Sequence, residues 1–102
     1  MTPTELILQN TTKYFRFYFG LYLKQKRTSL GMNVEHLANS INMTPARYNR
    51  LEVGGIKITD TLAEKLDTVF RFDLEDIYEL KRLANVAQAN DICRELNINY
   101  PA

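Results

Sequence analysis

A single cysteine, Cys93, and a single histidine, His36, supply all the thiol and imidazole chemistry in these 102 residues. One thiol builds no disulfide framework, and no Cys or His cluster has the spacing of metal ligands. No histidine lies near Cys93 in sequence, so it reads as a free structural thiol rather than a nucleophile. General acid–base chemistry is left without its usual agent. Glycine-rich phosphate loops and the H-E-x-x-H pattern are missing as well. The expectation is a protein that is not an enzyme, with no catalytic residue, no cofactor and no metal.

Long apolar runs are scarce too. The densest, YFRFYFGLYL, is short and broken by Arg16. Nothing is long enough to span a bilayer and no signal-peptide pattern is present, so a cytoplasmic protein without membrane partners is expected. Hydrophobic residues make up 45% and charged residues 25%, the balance of one compact soluble domain.

Net charge is only +1, but it is unevenly spread. Residues 13–57 hold eight Lys or Arg against Glu35 and Glu52, a net +6, whereas residues 58–102 hold five basic and nine acidic residues, a net −4. A basic half suits a polyanionic partner on one face, and ordinary solvated surface gives the same count.

Strand alternation is absent and apolar residues recur three and four apart, so the expected class is all-α. A first helix spans about Thr12 to Ser29 and ends at Gly31. Asn33 caps a short helix, Val34 to Ser40, by accepting from its free N–H groups. Thr44 caps the next, with Pro45 at the first helical position, and Gly54 and Gly55 stop it. Thr59 or Thr61 caps a fourth helix reaching Phe70, Thr61 and Glu64 having capping-box spacing. Asp73 caps a fifth, with Glu75 and Asp76 near its positive end. That helix runs to about Ala89, a short helical turn at Asp91 to Leu96 is left open, and the tail INYPA reads as loose.

The second and third helices form a unit. Leu37, Ala38 and Ile41 face inward from one, Tyr48 and Leu51 from the other, and Met43 lies between. Only Ile41, Asn42 and Met43 separate them, with small Ala38 where the backbones cross, which is the helix-turn-helix arrangement. Asn42 occupies a turn position that wants a left-handed conformation, and Asn tolerates one.

The stretch LKQKRTSLGMNVEHLANSINMTPARYNRLEVGG, with the later VFRFDLEDIYEL, resembles the Cro/Xre-like helix-turn-helix repressors of phages and bacteria, from about Tyr22 to Leu80. The resemblance implies a five-helix lambda-repressor-like DNA-binding domain, here with N- and C-terminal helical extensions. The expected division is an N-terminal arm over 1–12, the DNA-binding domain over 13–83 and a helical extension and tail over 84–102. It also implies double-stranded DNA as partner, a homodimer on paired half-sites, and transcriptional repression. Helix 44–53 would lie in the major groove, braced by the helix before it. The alternative is a protein-binding module on the same fold, such as an antitoxin or phage regulatory partner.

With Tyr48 and Leu51 facing the core, Ala46, Arg47, Asn49 and Arg50 face outward. The resemblance matches Thr44, Pro45, Ala46 and Arg50 to positions that contact bases or phosphates, with Arg47 and Asn49 flanking them. The fork of Arg50 suits guanine O6 and N7 together, while Thr44 suits a phosphate or a thymine methyl. Phosphate contacts are expected from the free N–H groups at Asn33 and Val34 and from Lys57. Lys24 adds long-range attraction, and Lys26 either adds to it or snorkels along the core. By resemblance, Arg27 and Glu52 form a partly buried ion pair between the first and third helices, so Glu52 counts as structural. Val34 departs from a common Gln and Ile58 from a common Pro. Pro45 and Ala46 offer few side-chain hydrogen bonds, which shifts readout toward Arg47, Arg50 and DNA shape.

The first helix carries a core stripe of Phe15, Phe19, Leu23 and Leu30, bordered by Tyr18 and Tyr22. Tyr14, Phe17 and Leu21 form a second apolar patch nearly opposite. A helix apolar on two faces is expected to be buried on both. The cover is either the C-terminal segment, with Ile92, Leu96, Ile98 and Tyr100, or a second subunit.

Overall fold

The computed structural model describes residues 2–9 and 13–95, and the side chains of 2–9 and 14–90. Six helices follow one another among the described residues: α1 (Pro3–Gln9), α2 (Lys13–Ser29), α3 (Val34–Ser40), α4 (Pro45–Glu52), α5 (Asp60–Phe70) and α6 (Leu74–Glu95). Among the described residues there is no strand, and the fold is all-α and lambda-repressor-like, with helical extensions at both ends.

The core is organised on α2. Phe15, Phe19 and Leu23 recur four apart and are fully buried, the two phenyl rings stacking at 5.7 Å. Leu30 does not continue their stripe and is 55% exposed. The helix ends at Ser29 and Gly31 turns the chain at φ 70°, so position 30 has left the helical period. The N-terminal extension is α1, which lies against α5 and α6 and buries Leu6 and Ile7 in the same core.

Local chemistry sets the later boundaries. Of the two candidate caps, Thr59 starts α5, its Oγ1 accepting from Leu62 N at 3.2 Å, and Thr61 falls inside the helix. Helix α5 closes on Arg71, which takes a left-handed φ of 51° and donates its N–H to Asp67 O at 2.7 Å. At the start of α6, Asp73 Oδ1 accepts from Asp76 N at 3.0 Å, while Asp76 Oδ2 accepts from Asp73 N at 2.8 Å. This is a reciprocal cap of the capping-box kind, with Asp in place of Glu. Helix α6 then runs unbroken to Glu95, so the separate turn considered at Asp91–Leu96 is absorbed into it as far as Glu95.

Helix α6 packs along α2. Lys26 Nζ approaches Asp76 Oδ2 at 2.9 Å and Oδ1 at 3.0 Å, and Tyr22 OH donates to the same carboxylate. Farther along, Asn90 Nδ2 donates to Tyr18 OH at 3.3 Å. Tyr14 is half-buried against the core, but Phe17 and Leu21 remain 48% and 43% exposed, so the described residues do not bury the second patch. The Ile92 side chain and residues 96–102, where Leu96, Ile98, Tyr100 and the tail fall, lie outside the described part, as does the Cys93 side chain. No described helix is long and apolar enough to cross a membrane.

Candidate nucleic-acid interface

The candidate interface is built from two short helices and the turn that fixes them. Asn33 Oδ1 accepts from His36 N at 2.7 Å and so satisfies one free donor of α3. The helix closes with Ile41 N and Met43 N both donating to Ala38 O, at 3.2 and 2.9 Å. Between them Asn42 holds φ 57°, the left-handed geometry the sequence asks of it. Thr44 Oγ1 then accepts from Arg47 N at 3.2 Å, and Pro45 takes the first helical position of α4. Gly54, at φ 77°, ends α4, with Gly55 N donating to Arg50 O at 2.7 Å.

One side of α4 is locked inward. Tyr48 and Leu51 are buried, and Glu52, at 6% exposure, is buried with them. Arg27 meets Glu52 with its fork, Nε to Oε2 at 2.7 Å and Nη2 to Oε1 at 3.2 Å, while Nη1 donates to Met32 O at 3.0 Å. Burial, and then the neighbouring Glu52 carboxylate, hold the Tyr48 phenol above the ordinary tyrosine range. The backbones of α2 and α4 also touch: a Cβ at Gly20 would lie 2.3 Å from Glu52 O. Only glycine allows so close an approach. Helix α4 is therefore fixed in rotation as well as position.

The other side is open. Thr44, Pro45, Ala46, Arg47, Asn49 and Arg50 are all exposed. Among the described residues, no ion pair engages Arg47, Arg50 or Lys57. Asn33 is exposed at the start of α3, whereas the Val34 side chain packs partly into the core, leaving its backbone as the group available there. Lys24 is exposed; Lys26 is drawn into its pair with Asp76, so it neither snorkels alone nor extends the basic face.

Arg47 and Lys57 are brought together. They line one groove with Asn42 and Met43 of the turn and with Thr59, Thr61 and Lys65 of the α5 end. Lys65 Nζ reaches across to donate to Ile41 O at 3.3 Å. Asn33, Val34 and Arg50 do not line that groove. Sequence reasoning missed Lys65. The signal was present, since Thr61 and Lys65 fall one helical turn apart on the helix that follows the Lys57 loop. Among the described residues, no group of three or more His, Cys, Asp or Glu is placed to hold a metal ion.

A family model described as helix-turn-helix matches residues 23–77, just over half of the chain and all of α3, α4 and α5. No curated protein and no solved structure matches the chain.

Proposed function

The chain belongs to the Cro/Xre-like helix-turn-helix family of DNA-binding regulators, and on that premise we propose that it is a cytoplasmic, sequence-specific transcriptional repressor that binds double-stranded DNA as a homodimer. The observation that carries this reading is the two-sidedness of α4. Tyr48, Leu51 and Glu52 are buried, and every residue from Thr44 to Arg50 except Tyr48 is open to a partner. In this reading residues 13–83 form the DNA-binding domain, flanked by 1–12 and 84–102, and α4 lies in the major groove. Helices of this kind present their N-terminal residues to base edges, here Thr44, Pro45, Ala46, Arg47, Asn49 and Arg50. Arg50 takes the guanine, because its planar fork bonds O6 and N7 together. Asn33, Val34 and Lys57 hold phosphates and set the register rather than the sequence.

Selection of bound duplexes from a random pool tests this. The wild type is expected to enrich a palindrome whose half-sites sit about one helical turn apart. Arg47→Ala with Arg50→Ala is expected to relax the sequence preference at the guanine position and to cost roughly 1–3 kcal/mol per specific contact. A wild type that enriches nothing, even at low salt, would leave the fold standing and end the repressor reading. The rival, a protein-binding module, would then gain from the exposure of Phe17 and Leu21 on α2.

A further inference from the structure

We propose that the groove between the α3–α4 turn and α5 clamps one DNA backbone phosphate, with Lys65 as its third cation. This rests on the DNA-binding reading above and adds a residue and a mechanism to it. The groove is about 190 Å³ and is lined by Arg47, Lys57 and Lys65 with the hydroxyls of Thr59 and Thr61. Among the described residues no carboxylate lines it. Three cations around one small cleft, without a counter-charge, repel one another and favour an arriving anion; Lys57 and Lys65 hold it, while Arg47 adds its charge to the groove and keeps its fork for the bases. The volume admits a phosphate group with a few waters of about 30 Å³ each.

Lys65 is more than a third charge. Its ammonium has three donors, and among the described residues one is engaged, by the 3.3 Å contact to Ile41 O. That carbonyl lies at the C-terminal end of α3, where the helix dipole is negative and holds a cation in place. The remaining donors are available to a phosphate oxygen. A phosphate bound there is tied through Lys65 to the turn that contains left-handed Asn42, and therefore to the angle at which α4 leaves α3. The groove thus couples a backbone contact to the placement of the base-reading side chains.

The test is DNA affinity against salt for the full chain, using a labelled duplex from the selected pool. Lys65→Gln removes the charge and keeps a donor for the turn. It is expected to lower the slope of log affinity against log salt by about 0.9 and to weaken binding roughly 3- to 10-fold near 0.1 M salt. Lys65→Arg is expected to retain the wild-type slope. An unchanged slope in Lys65→Gln, whether or not its melting temperature falls, would make Lys65 a brace for the turn alone and overturn the clamp. Absence of any salt-dependent DNA binding by the wild type would end the clamp and the repressor reading together, so the two failures are distinguishable. Inorganic phosphate that bound the DNA-free protein and lost that binding in Lys65→Gln, with the DNA salt slope unchanged, would mean that the groove holds the free anion rather than the DNA backbone.

Discussion

Glu52 lies on the helix assigned to the major groove, yet its carboxylate points into the protein. The reason is Arg27, whose fork takes both carboxylate oxygens and the Met32 carbonyl at once. The pair is largely buried, at 14% and 7% side-chain exposure. Desolvating two charges is expensive, so such a pair adds little net stability while making its separation costly. Removing Glu52 alone strands a guanidinium, and removing Arg27 alone strands a carboxylate beside the Tyr48 hydroxyl. Each single alanine substitution is therefore expected to cost about 3 kcal/mol, and Arg27→Met with Glu52→Leu distinctly less than the two together. Urea unfolding of the four proteins measures this. Strict additivity would show that the two side chains are not coupled.

Among the elements, the contact that decides where α6 sits is the approach of Asp76 to α2. Asp76 accepts from Tyr22, from its own cap at Asp73 and from Lys26. Burial pushes its carboxyl up, but those three partners outweigh burial and hold it below the ordinary carboxylate range. A group whose folded pKa is depressed contributes stability above its unfolded pKa and loses it as the pH falls toward the folded value. The contribution is thus expected to be full above about pH 5 and to fade below about pH 4. Asp76→Asn is expected to cost about 2 kcal/mol at neutral pH and progressively less in acid. The comparison is of urea midpoints for the two proteins across that range. A gap that stays constant with pH would mean that shape, not charge, holds α6 there. This contact also marks the limit of what the sequence makes legible. The caps at Asn33 and Thr44 and the left-handed Asn42 each depend on a few neighbouring residues, and a reader of the chain can find them. The Lys26–Asp76 pair spans 50 residues and the Lys65–Ile41 contact 24, so neither pairing has a local signature, although Lys65 itself falls one helical turn from Thr61. Leu30 misled because its spacing fits the α2 stripe only if the helix continues past Ser29.

At the scale of the molecule, the charge imbalance and the core pull in different directions. Counted along the chain, the basic half is residues 13–57. In the fold, Lys26 and Arg27 are consumed by ion pairs while Lys65 joins the basic groove from the acidic half. The positive face is therefore assembled by packing rather than by composition. Its geometry depends on a core that extends well beyond it, because α1 inserts Leu6 and Ile7 among residues of the same cluster that holds Tyr48 and Leu51. Ile7 is fully buried, and its truncation leaves a cavity that the neighbours only partly fill. Ile7→Ala is expected to cost about 2–4 kcal/mol. Because one continuous cluster unfolds as a unit, that loss should reach α4 as well as α5, the helix on which α1 packs. Hydrogen exchange is the measurement. The slowest amides of α4 and α5 should lose as much protection as those near α1, each by the global amount. Protection lost in α1 alone, with α4 unchanged, would mean that the N-terminal helix is an attachment and that the exposed surface of α4 stands without it.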